Sequence, residues 1–435
     1  MCHKIVYREL SLVQLVMNSR KFLFLQGPAT LFHRSLIESI EMADHEVYQV
    51  SFCGGDWVFG LGQTQWRFNG RATEFAAWIA KRLKEYQITD LVLFGDMRPL
   101  HEAAIRVARE QNLRIYVFEE GYLRPDWITL EKGGVNANSN LMSKDDAWYR
   151  NYSHPQVKKN PPTGASLAVR FAFDLAYRVS TLLLYPWFDQ YQTHRPRNSI
   201  VEYLGWARRY PMRCLSWRRE KSVIQALVDQ EQPYFFFPLQ LDSDSQIRRH
   251  SPFGGMVKAI QYVVESFAKY APANNILVIK NHPLDTGLIP YRQILRKLTQ
   301  SLNIENRVIY LENGHIPTLT HHAKGTVVVN STVGMSALFH HSPTCALGKS
   351  IYNLPGLTYQ DGLDSFWSNP VKPDMELFAK FRNAVINLTQ INGNFYSRKG
   401  IKMAVSGSLN AMGVIATVNT DETLSFYGTT SQSLN

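Results

Sequence analysis

The residues most able to do chemistry stand directly after an apolar run in the second half of the sequence. Residues 276–279 are all aliphatic, which is typical of a strand buried on both faces of a parallel sheet. Pro283 cannot continue such a strand, so the chain must leave the sheet there. Lys280 and His282 would then lie at the carboxyl end of the strand, where open α/β sheets bind ligands, and both could neutralise a phosphate.

Carboxylate and hydroxyl side chains follow other apolar runs in the same way. Asp242 and Asp244 come after one run, Glu312 after another, and Ser331 and Thr332 after a third. Each has an ordinary structural interpretation, the hydroxyls as helix caps and a lone histidine as a hydrogen-bonding residue. Because the strand ends of one parallel sheet line a single crevice, the set as a whole predicts a nucleotide-phosphate site.

A pair of acids, Glu119 and Glu120, ends an apolar run in the first half and is followed by Gly121. Adjacent carboxylates repel each other, which raises the pKa of one of them, and the glycine permits a sharp turn that presents them. The pair could therefore handle a proton. The alternative is a solvated acidic turn, which the residue types alone favour; the position at a strand end reduces that preference.

Strands and helices alternate along both halves, which predicts βαβ units and parallel sheets. The predicted strands cover residues 22–25, 47–52, 88–94, 113–118, 234–238, 276–279, 307–311, 325–329 and 344–347. Gly27 and Pro28 follow the first strand and precede a helical pattern. They could seat an anion or a sugar at the helix start, or form a simple tight turn, and the sequence leaves both open.

The 435 residues are enough for two domains. We predict a first Rossmann-like domain over residues 1–164, a helical insert over 165–222, a second Rossmann-like domain over 223–405, and a flexible tail over 406–435. The final helix of the second domain, predicted near residues 374–390, is a candidate to pack back on the first.

A net charge of +11 favours anionic partners: nucleic acid, phosphorylated small molecules or an anionic membrane surface. The four cysteines are scattered and indicate reduced thiols in a cytoplasmic protein. No secretory signal is visible at the start of the sequence, and no apolar run is long enough to span a membrane. No carboxylate pair stands beside a histidine or glutamate cluster, so no metal is expected, with Asp242 and Asp244 as the one caveat.

The insert is basic and aromatic. Residues 167–221 contain ten Arg or Lys and four Asp or Glu, interleaved with aromatic residues. This composition suits an interfacial surface on anionic lipid. The alternative is an interdomain helical segment with solvated arginines. Nucleic acid is not expected as a partner, because no nucleic-acid module frames the patch.

The ordered set of motifs resembles a known family. The motifs are Phe118-Glu119-Glu120-Gly121-Tyr122-Leu123-Arg124-Pro125, the run from Pro238 to Asp244, Lys280-Asn281-His282-Pro283, and Ser331-Thr332-Val333-Gly334. Together they resemble the bacterial capsule polysaccharide biosynthesis proteins, the β-Kdo transferases of ATP-transporter-dependent capsules, and are closest to the S-type members. C-type relatives often have Glu-Asp-Gly where this sequence has Glu119-Glu120-Gly121, and Lys-Pro-His-Pro where it has Lys280-Asn281-His282-Pro283. Both differences retain the chemical types of the motif.

The resemblance implies a GT-B-like glycosyltransferase of two Rossmann-like domains that uses CMP-Kdo as donor and needs no cofactor. It implies a phosphatidylglycerol-type acceptor at the cytoplasmic face of the inner membrane, with capsule assembly proteins as possible partners. The alternatives are a transferase or an epimerase that uses another sugar nucleotide, or a non-catalytic membrane adaptor of capsule assembly.

The resemblance also implies roles for individual residues. His282 would contact the CMP phosphate, Glu119 or Glu120 would be the acid/base, and Asp244, in preference to Asp242, would be the nucleophile of a retaining reaction. A sugar that leaves as an oxocarbenium-like species needs one carboxylate to trap it and another to handle the proton. The predicted donor-binding residues are Gly27, Pro28, Gln240, Asp242, Lys280, Pro283, Glu312, Ile316, Ser331, Thr332 and Gly334.

Overall fold

Two β-sheets organise the chain. The computed structural model describes residues 19–155, 161–164, 166–193 and 199–414. In these parts the strands are Lys21–Phe24 (β1), Glu46–Ser51 (β2), Gln65–Arg67 (β3), Asp90–Phe94 (β4), Arg114–Glu120 (β5), Trp127–Lys132 (β6), Tyr234–Pro238 (β7), Ile276–Lys280 (β8), Val308–Leu311 (β9), Gly325–Val328 (β10), Thr344–Ala346 (β11) and Gln390–Asn392 (β12).

Helices connect the strands. They are Phe32–Glu41 (α1), Gly54–Phe59 (α2), Phe75–Glu85 (α3), Pro99–Glu110 (α4), Asp146–Arg150 (α5), Leu167–Leu183 (α6), Ser199–Asp229 (α7), Ser245–Arg249 (α8), Met256–Tyr270 (α9), Tyr291–Ser301 (α10), Ile316–His321 (α11), Val333–Phe339 (α12), Leu363–Phe366 (α13), Met375–Thr389 (α14) and Arg398–Met412 (α15). Short 3-10 turns separate several of them.

The first sheet has the order β12-β6-β5-β4-β1-β2-β3, and the second has the order β11-β10-β7-β8-β9. All strand pairs of the second sheet are parallel. In the first sheet β6 and β12 run antiparallel to their neighbours, and the other pairs are parallel. The predicted fold class, two Rossmann-like units in a GT-B-like arrangement with a helical basic insert between them, is confirmed.

Both sheets are buried on their two faces, which explains the uninterrupted apolar runs. In β1, Phe22 and Phe24 pack against α1 and α15, whereas Leu23 packs on the opposite face. In β7 the side chains alternate in the same way between two separate apolar clusters. The sheets are therefore rigid platforms, and their carboxyl ends are the free edges.

The sequence patterns did not predict β3, β6, β12 or α15. The prediction of a flexible tail is wrong for residues 406–414, because α15 extends to Met412 and packs on the first unit. The predicted end of the second domain at 405 is wrong as well, since β12 and α15 complete the first unit. The sequence did not predict α15, because of its glycines. In the structure these glycines allow close packing against neighbouring side chains. A Cβ at Gly407 would lie 2.4 Å from the Ile391 side chain, and one at Gly400 would lie 2.4 Å from Asn394. Residues 415–435, the rest of the predicted tail, and residues 1–18, where no secretory signal is expected, lie outside the described parts.

The insert consists of α6 and α7, and each helix packs on a different unit. A Cβ at Gly54 of α2 would lie 2.3 Å from the carbonyl oxygen of Ser180, so α6 lies directly on the first unit. Helix α7 contacts the second unit through Arg209 and continues to Asp229, past the predicted boundary at 222, because Leu227 is buried against the second sheet.

A large part of the insert is apolar and exposed. We call the exposed apolar side chains of α6, of the turn Tyr185–Trp187 and of α7 the insert surface; they include Phe171, Leu182, Leu183, Trp187, Leu204 and Leu215. Throughout the described ranges, no helix is both long enough and apolar enough to cross a bilayer.

One apolar cluster joins the two units. It contains Tyr122 and Tyr149 of the first unit, Val328 and Met335 of the second, and one face of α14. Phe381 of α14 packs edge-on against Tyr149 with ring centroids 5.0 Å apart. Helix α14 thus contacts the first unit, and the cleft between the units has a packed base.

Candidate active site

The carboxyl ends of β4 and β5 face helix α8 across a cavity of about 320 Å³ between the two units. An ion pair between Glu102 and Arg249 joins the walls. The side chains on the first wall include Arg98 and Glu119, and those on the second include Gln246, Arg248 and Arg249. Groups that are far apart in the sequence therefore meet in one cleft.

Of the two adjacent glutamates, Glu119 is the one that lines this cavity. Burial raises its pKa to about 7, and the charges of Glu120 and Asp244 act in the same direction, whereas Arg98 opposes them. Its Oε1 accepts a hydrogen bond from the Glu120 backbone N–H at 3.0 Å. A carboxyl group with a pKa near neutrality can exchange a proton at physiological pH, as a general acid or base must.

Glu120 is held in place by two partners. The Tyr396 hydroxyl donates a hydrogen bond to its Oε1 at 2.7 Å, and the Arg170 guanidinium forms an ion pair with the same oxygen at 3.2 Å. Arg170 also lies over the Tyr396 ring, 4.6 Å from the centroid. The two adjacent acids are therefore not equivalent, and Glu119 is the one that is open to the cleft.

The aspartates at the end of β7 also differ. Asp242 accepts a hydrogen bond from the Met256 backbone N–H at 2.8 Å and lies 3.7 Å from Arg248, so it caps α9. Asp244 caps the short helix α8 through Oδ1, which accepts from the Gln246 N–H at 2.9 Å. Within the described residues its Oδ2 has no hydrogen-bond partner. Burial raises the pKa of Asp244.

His282 is fixed as a hydrogen-bond donor. Its Nδ1 accepts from the Leu284 backbone N–H at 3.1 Å, and burial, together with the positive charges of Lys280 and Arg124, lowers its pKa to about 3. The ring is therefore neutral near pH 7 and carries its proton on Nε2. Arg124 acts electrostatically on both His282 and Asp244, so it links the end of β8 to the end of β7.

Lys280 is buried, and its ammonium group donates to the Asn281 carbonyl at 3.1 Å. Burial lowers its pKa to about 8, helped by the nearby charges of Arg213 and Arg209. Glu312 forms an ion pair with Arg209 at 2.6 Å, and the Pro283 carbonyl accepts from Arg213 at 2.9 Å. Two predicted donor-binding residues thus attach α7 to the second unit.

The other predicted binding residues of the second unit stabilise strand ends and the start of α12. Gln240 donates to Asn330 Oδ1 at 3.0 Å and accepts from the Asn330 N–H at 3.2 Å, which ties β7 to β10. The Ser331 hydroxyl accepts from the Val333 N–H at 3.1 Å. A Cβ at Gly334 would lie 2.4 Å from the Tyr352 ring.

Four further predicted residues lie in different places. Thr332 lines a small cavity of about 20 Å³ between the units, and Ile316 begins α11 and packs against the second sheet. A Cβ at Gly27 would lie 2.5 Å from His33 Nδ1, so the glycine allows this ring to pack against the turn. Pro28 follows in the same turn, and its carbonyl accepts from the Thr30 N–H at 2.7 Å.

Residues 89–396 match the model of the family described as capsule polysaccharide biosynthesis protein. The chain belongs to this family. It is 35% identical over 385 residues to the capsule polysaccharide export protein KpsS of Escherichia coli, a match that covers 88% of this chain and 98% of that protein. It is also 35% identical over 403 residues to the capsule polysaccharide modification protein LipB of Neisseria meningitidis serogroup A, covering 89% and 94%. The predicted family is confirmed.

A solved structure described as Thermosulfurimonas dismutans KpsC, beta Kdo 2,7 transferase, aligns with 90% of this chain and 100% of its own. The TM-score is 0.41 and the sequence identity is 13%.

This capsule biosynthesis protein also has residues that bind or act electrostatically on the predicted site residues and that the sequence did not single out: Arg98, Arg124, Arg170 and Tyr396. Arg124 stands within the first motif and could have been found there. Arg170 was counted with the basic surface of the insert, and Tyr396 lies 276 residues from the glutamate to which it donates. No local pattern reveals such partners.

Proposed function

We propose that this capsule biosynthesis protein is a glycosyltransferase that moves a β-Kdo residue from CMP-Kdo to a phosphatidylglycerol-type lipid and so starts the poly-Kdo linker of a capsule. The observation that supports this most is the interdomain cleft that Glu119 lines, a carboxyl group with a pKa near 7 that feels the charge of Asp244. Arg124 acts electrostatically on both Asp244 and His282, and the neutral His282 imidazole lies among cationic groups.

His282 acts on the leaving group. Its Nε2–H donates to a CMP phosphate oxygen, while Lys280 and Arg124 provide positive charge as the bond between phosphate and sugar breaks. CMP departs with the electron pair of that bond. Because CMP is a good leaving group, positioned cations and hydrogen-bond donors are sufficient and no metal or cofactor is required.

Asp244 and Glu119 complete the transfer. Asp244 Oδ2 attacks the anomeric carbon as CMP leaves, which forms a covalent glycosyl ester. Glu119 then takes the proton of the acceptor hydroxyl, whose oxygen attacks the same carbon and releases Asp244. Two displacements retain the configuration of the donor.

The protein works at the cytoplasmic face of the inner membrane, where its insert surface contacts anionic lipid. Leu182 and Leu183 are each 69% exposed and Trp187 is 56% exposed, a high value for large apolar side chains. The same helices carry many arginines, and basic residues beside apolar ones suit an anionic bilayer. Other capsule assembly proteins are expected as neighbours at this membrane.

The experiment is to incubate the purified protein with CMP-Kdo and phosphatidylglycerol in mixed micelles and to analyse the lipids by mass spectrometry. The expected product is phosphatidylglycerol that carries one Kdo. Asp244→Ala and His282→Ala should abolish it, whereas His322→Ala, at an exposed position outside the cleft, should not.

Thermal unfolding with CMP or UDP provides an independent check, since a ligand that binds the folded state raises its melting temperature. CMP should raise it, and UDP should not. A shift with UDP alone would indicate a different sugar nucleotide, and liposome binding with neither shift nor product would indicate an adaptor.

A further inference from the structure

A second cavity, of about 150 Å³, lies in the first unit at the carboxyl ends of β1, β2 and β3. Phe52, Phe68, Leu100 and Tyr191 give it a mainly apolar and aromatic wall. Arg98 lines both this cavity and the interdomain cleft. The two spaces therefore lie on two sides of one guanidinium group.

Arg98 is oriented by hydrogen bonding but is not ion-paired with any described residue. Its Nη1 donates to Gln26 Oε1 at 2.8 Å, and its guanidinium lies 5.6 Å from the Phe94 ring centroid. Across the described ranges it forms no salt bridge, and its Nε and Nη2 have no hydrogen-bond acceptor. Gln26 uses its own amide group to donate to Asp56 and Tyr177, so it remains fixed beneath the guanidinium. A planar cation held in this way is suited to an oxyanion such as a phosphate.

The side of Arg98 that faces the interdomain cleft is also the side on which Glu119 lies. Both residues line the same cavity, and the positive charge of Arg98 reaches the Glu119 carboxyl group. An anion bound at Arg98 would thus place a hydroxyl group a few bonds away within reach of Glu119.

The other side of Arg98 leads toward the insert surface. The cavity wall is completed by residues 190–193, which follow the exposed Trp187 by three residues. Asn69 fixes this wall, because its side-chain amide donates to Asp189 Oδ1 at 3.0 Å. The wall of this cavity is therefore continuous along the chain with the insert surface.

We propose that Arg98 binds the phosphodiester group of the acceptor, that the aromatic cavity takes the apolar atoms on one side of this phosphate, and that the hydroxyl on its other side lies at Glu119. This inference rests on the proposed function. A cavity of 150 Å³ has room for roughly five water-sized groups. It suits the glycerol ester region of a lipid rather than a whole acyl chain, which would remain in the membrane.

The experiment measures KM for two acceptors that share the phosphodiester: phosphatidylglycerol in mixed micelles, and water-soluble glycerophosphoglycerol, which has no acyl chains. Arg98→Gln should raise KM for both by about 10- to 100-fold, the usual effect of losing a hydrogen bond between charged groups. Arg98→Lys should restore part of the loss. Ala72→Phe, at the exposed mouth of the cavity, should raise KM for the lipid only.

Arg106→Gln is the matched control, because Arg106 lies on α4, the helix that begins directly after Arg98, at an exposed position outside both cavities. CMP-induced thermal stabilisation shows that each variant is folded and retains its donor site. If the wild-type protein transfers sugar but Arg98→Gln leaves both acceptor KM values unchanged, or raises the KM for the donor instead, the inference is wrong. If the wild-type protein transfers no sugar to either acceptor, the result contradicts the proposed function itself, on which the role of Arg98 rests.

Discussion

At the scale of single residues, the structural environment distinguishes side chains whose roles the sequence could not assign. Glu119 and Glu120 are adjacent and chemically identical, yet one faces the cleft and the other is bound by Arg170 and Tyr396. Their partners come from the insert and from the end of the chain. The positions of the acids at a strand end could be predicted locally, whereas their division of labour depends on contacts across 50 and 276 residues.

A pH profile tests this division. If Glu119 is the base, kcat/KM for the acceptor should rise with pH and level off above about 7, because the carboxyl group must lose its proton before it can accept one. Glu119→Gln should lower the rate by roughly 100-fold or more and remove this titration. Initial rates between about pH 5 and pH 9 provide the measurement.

Glu120→Gln is the matched control. It should weaken the contact to Arg170 but retain the titration near pH 7. The opposite result, a profile that is lost in Glu120→Gln and kept in Glu119→Gln, would assign the proton transfer to the other acid.

At the scale of elements, the buried strands were the easiest to predict, because a short uninterrupted apolar sequence such as that of β8 is compatible with few other structures. The short or alternating strands β3, β6 and β12 carry weaker signals. Helix α15 was missed for a different reason, since its glycines and serines are also typical of a loose tail. Its role is visible only when β12, to which it packs closely through Gly407, is known to belong to the first sheet.

The proposed membrane contact also belongs to the scale of elements, and it can be tested on α6. Leu182→Ser combined with Leu183→Ser should weaken binding to vesicles that contain phosphatidylglycerol by roughly tenfold or more, because two apolar side chains no longer enter the interface. Flotation or surface plasmon resonance would measure it. Met42→Ser is the control, since Met42 is 81% exposed but belongs to the first unit and not to the insert.

Equal binding of the double leucine variant and the wild-type protein would exclude α6 as a membrane contact. Higher salt should weaken the binding of all three proteins, because the basic residues of the insert contribute a screened attraction. Vesicles of neutral lipid should bind them only weakly.

At the scale of the whole molecule, four buried groups link protonation to stability. Burial lowers the pKa of His33 and of His282 to about 3, and it raises the pKa of Glu119 and of Glu131 to about 7. Relative to the unfolded chain, the folded state therefore binds fewer protons at the histidines below pH 6.5 and more protons at the glutamates between pH 7 and pH 4.5. As the pH falls, the histidines lower the free energy of unfolding and the glutamates raise it, so the two contributions oppose each other down to pH 4.5. Below pH 4.5 only the destabilisation by the histidines continues, until they are protonated near pH 3.

His33 allows this linkage to be measured away from the proposed catalytic groups. Its ring lies in the core of the first unit, 5.1 Å from the Phe24 ring centroid. His33→Gln should lower the free energy of unfolding at pH 7, because it disturbs this packing. The deficit should shrink by roughly 1 kcal/mol for each pH unit below 6.5, since only the wild-type protein must keep a neutral imidazole buried as the unfolded chain takes up a proton. Urea unfolding at several pH values gives this difference directly. His154→Gln, at an exposed position, is the control variant. A deficit for His33→Gln that stayed constant down to about pH 4 would show that His33 is protonated in the folded protein.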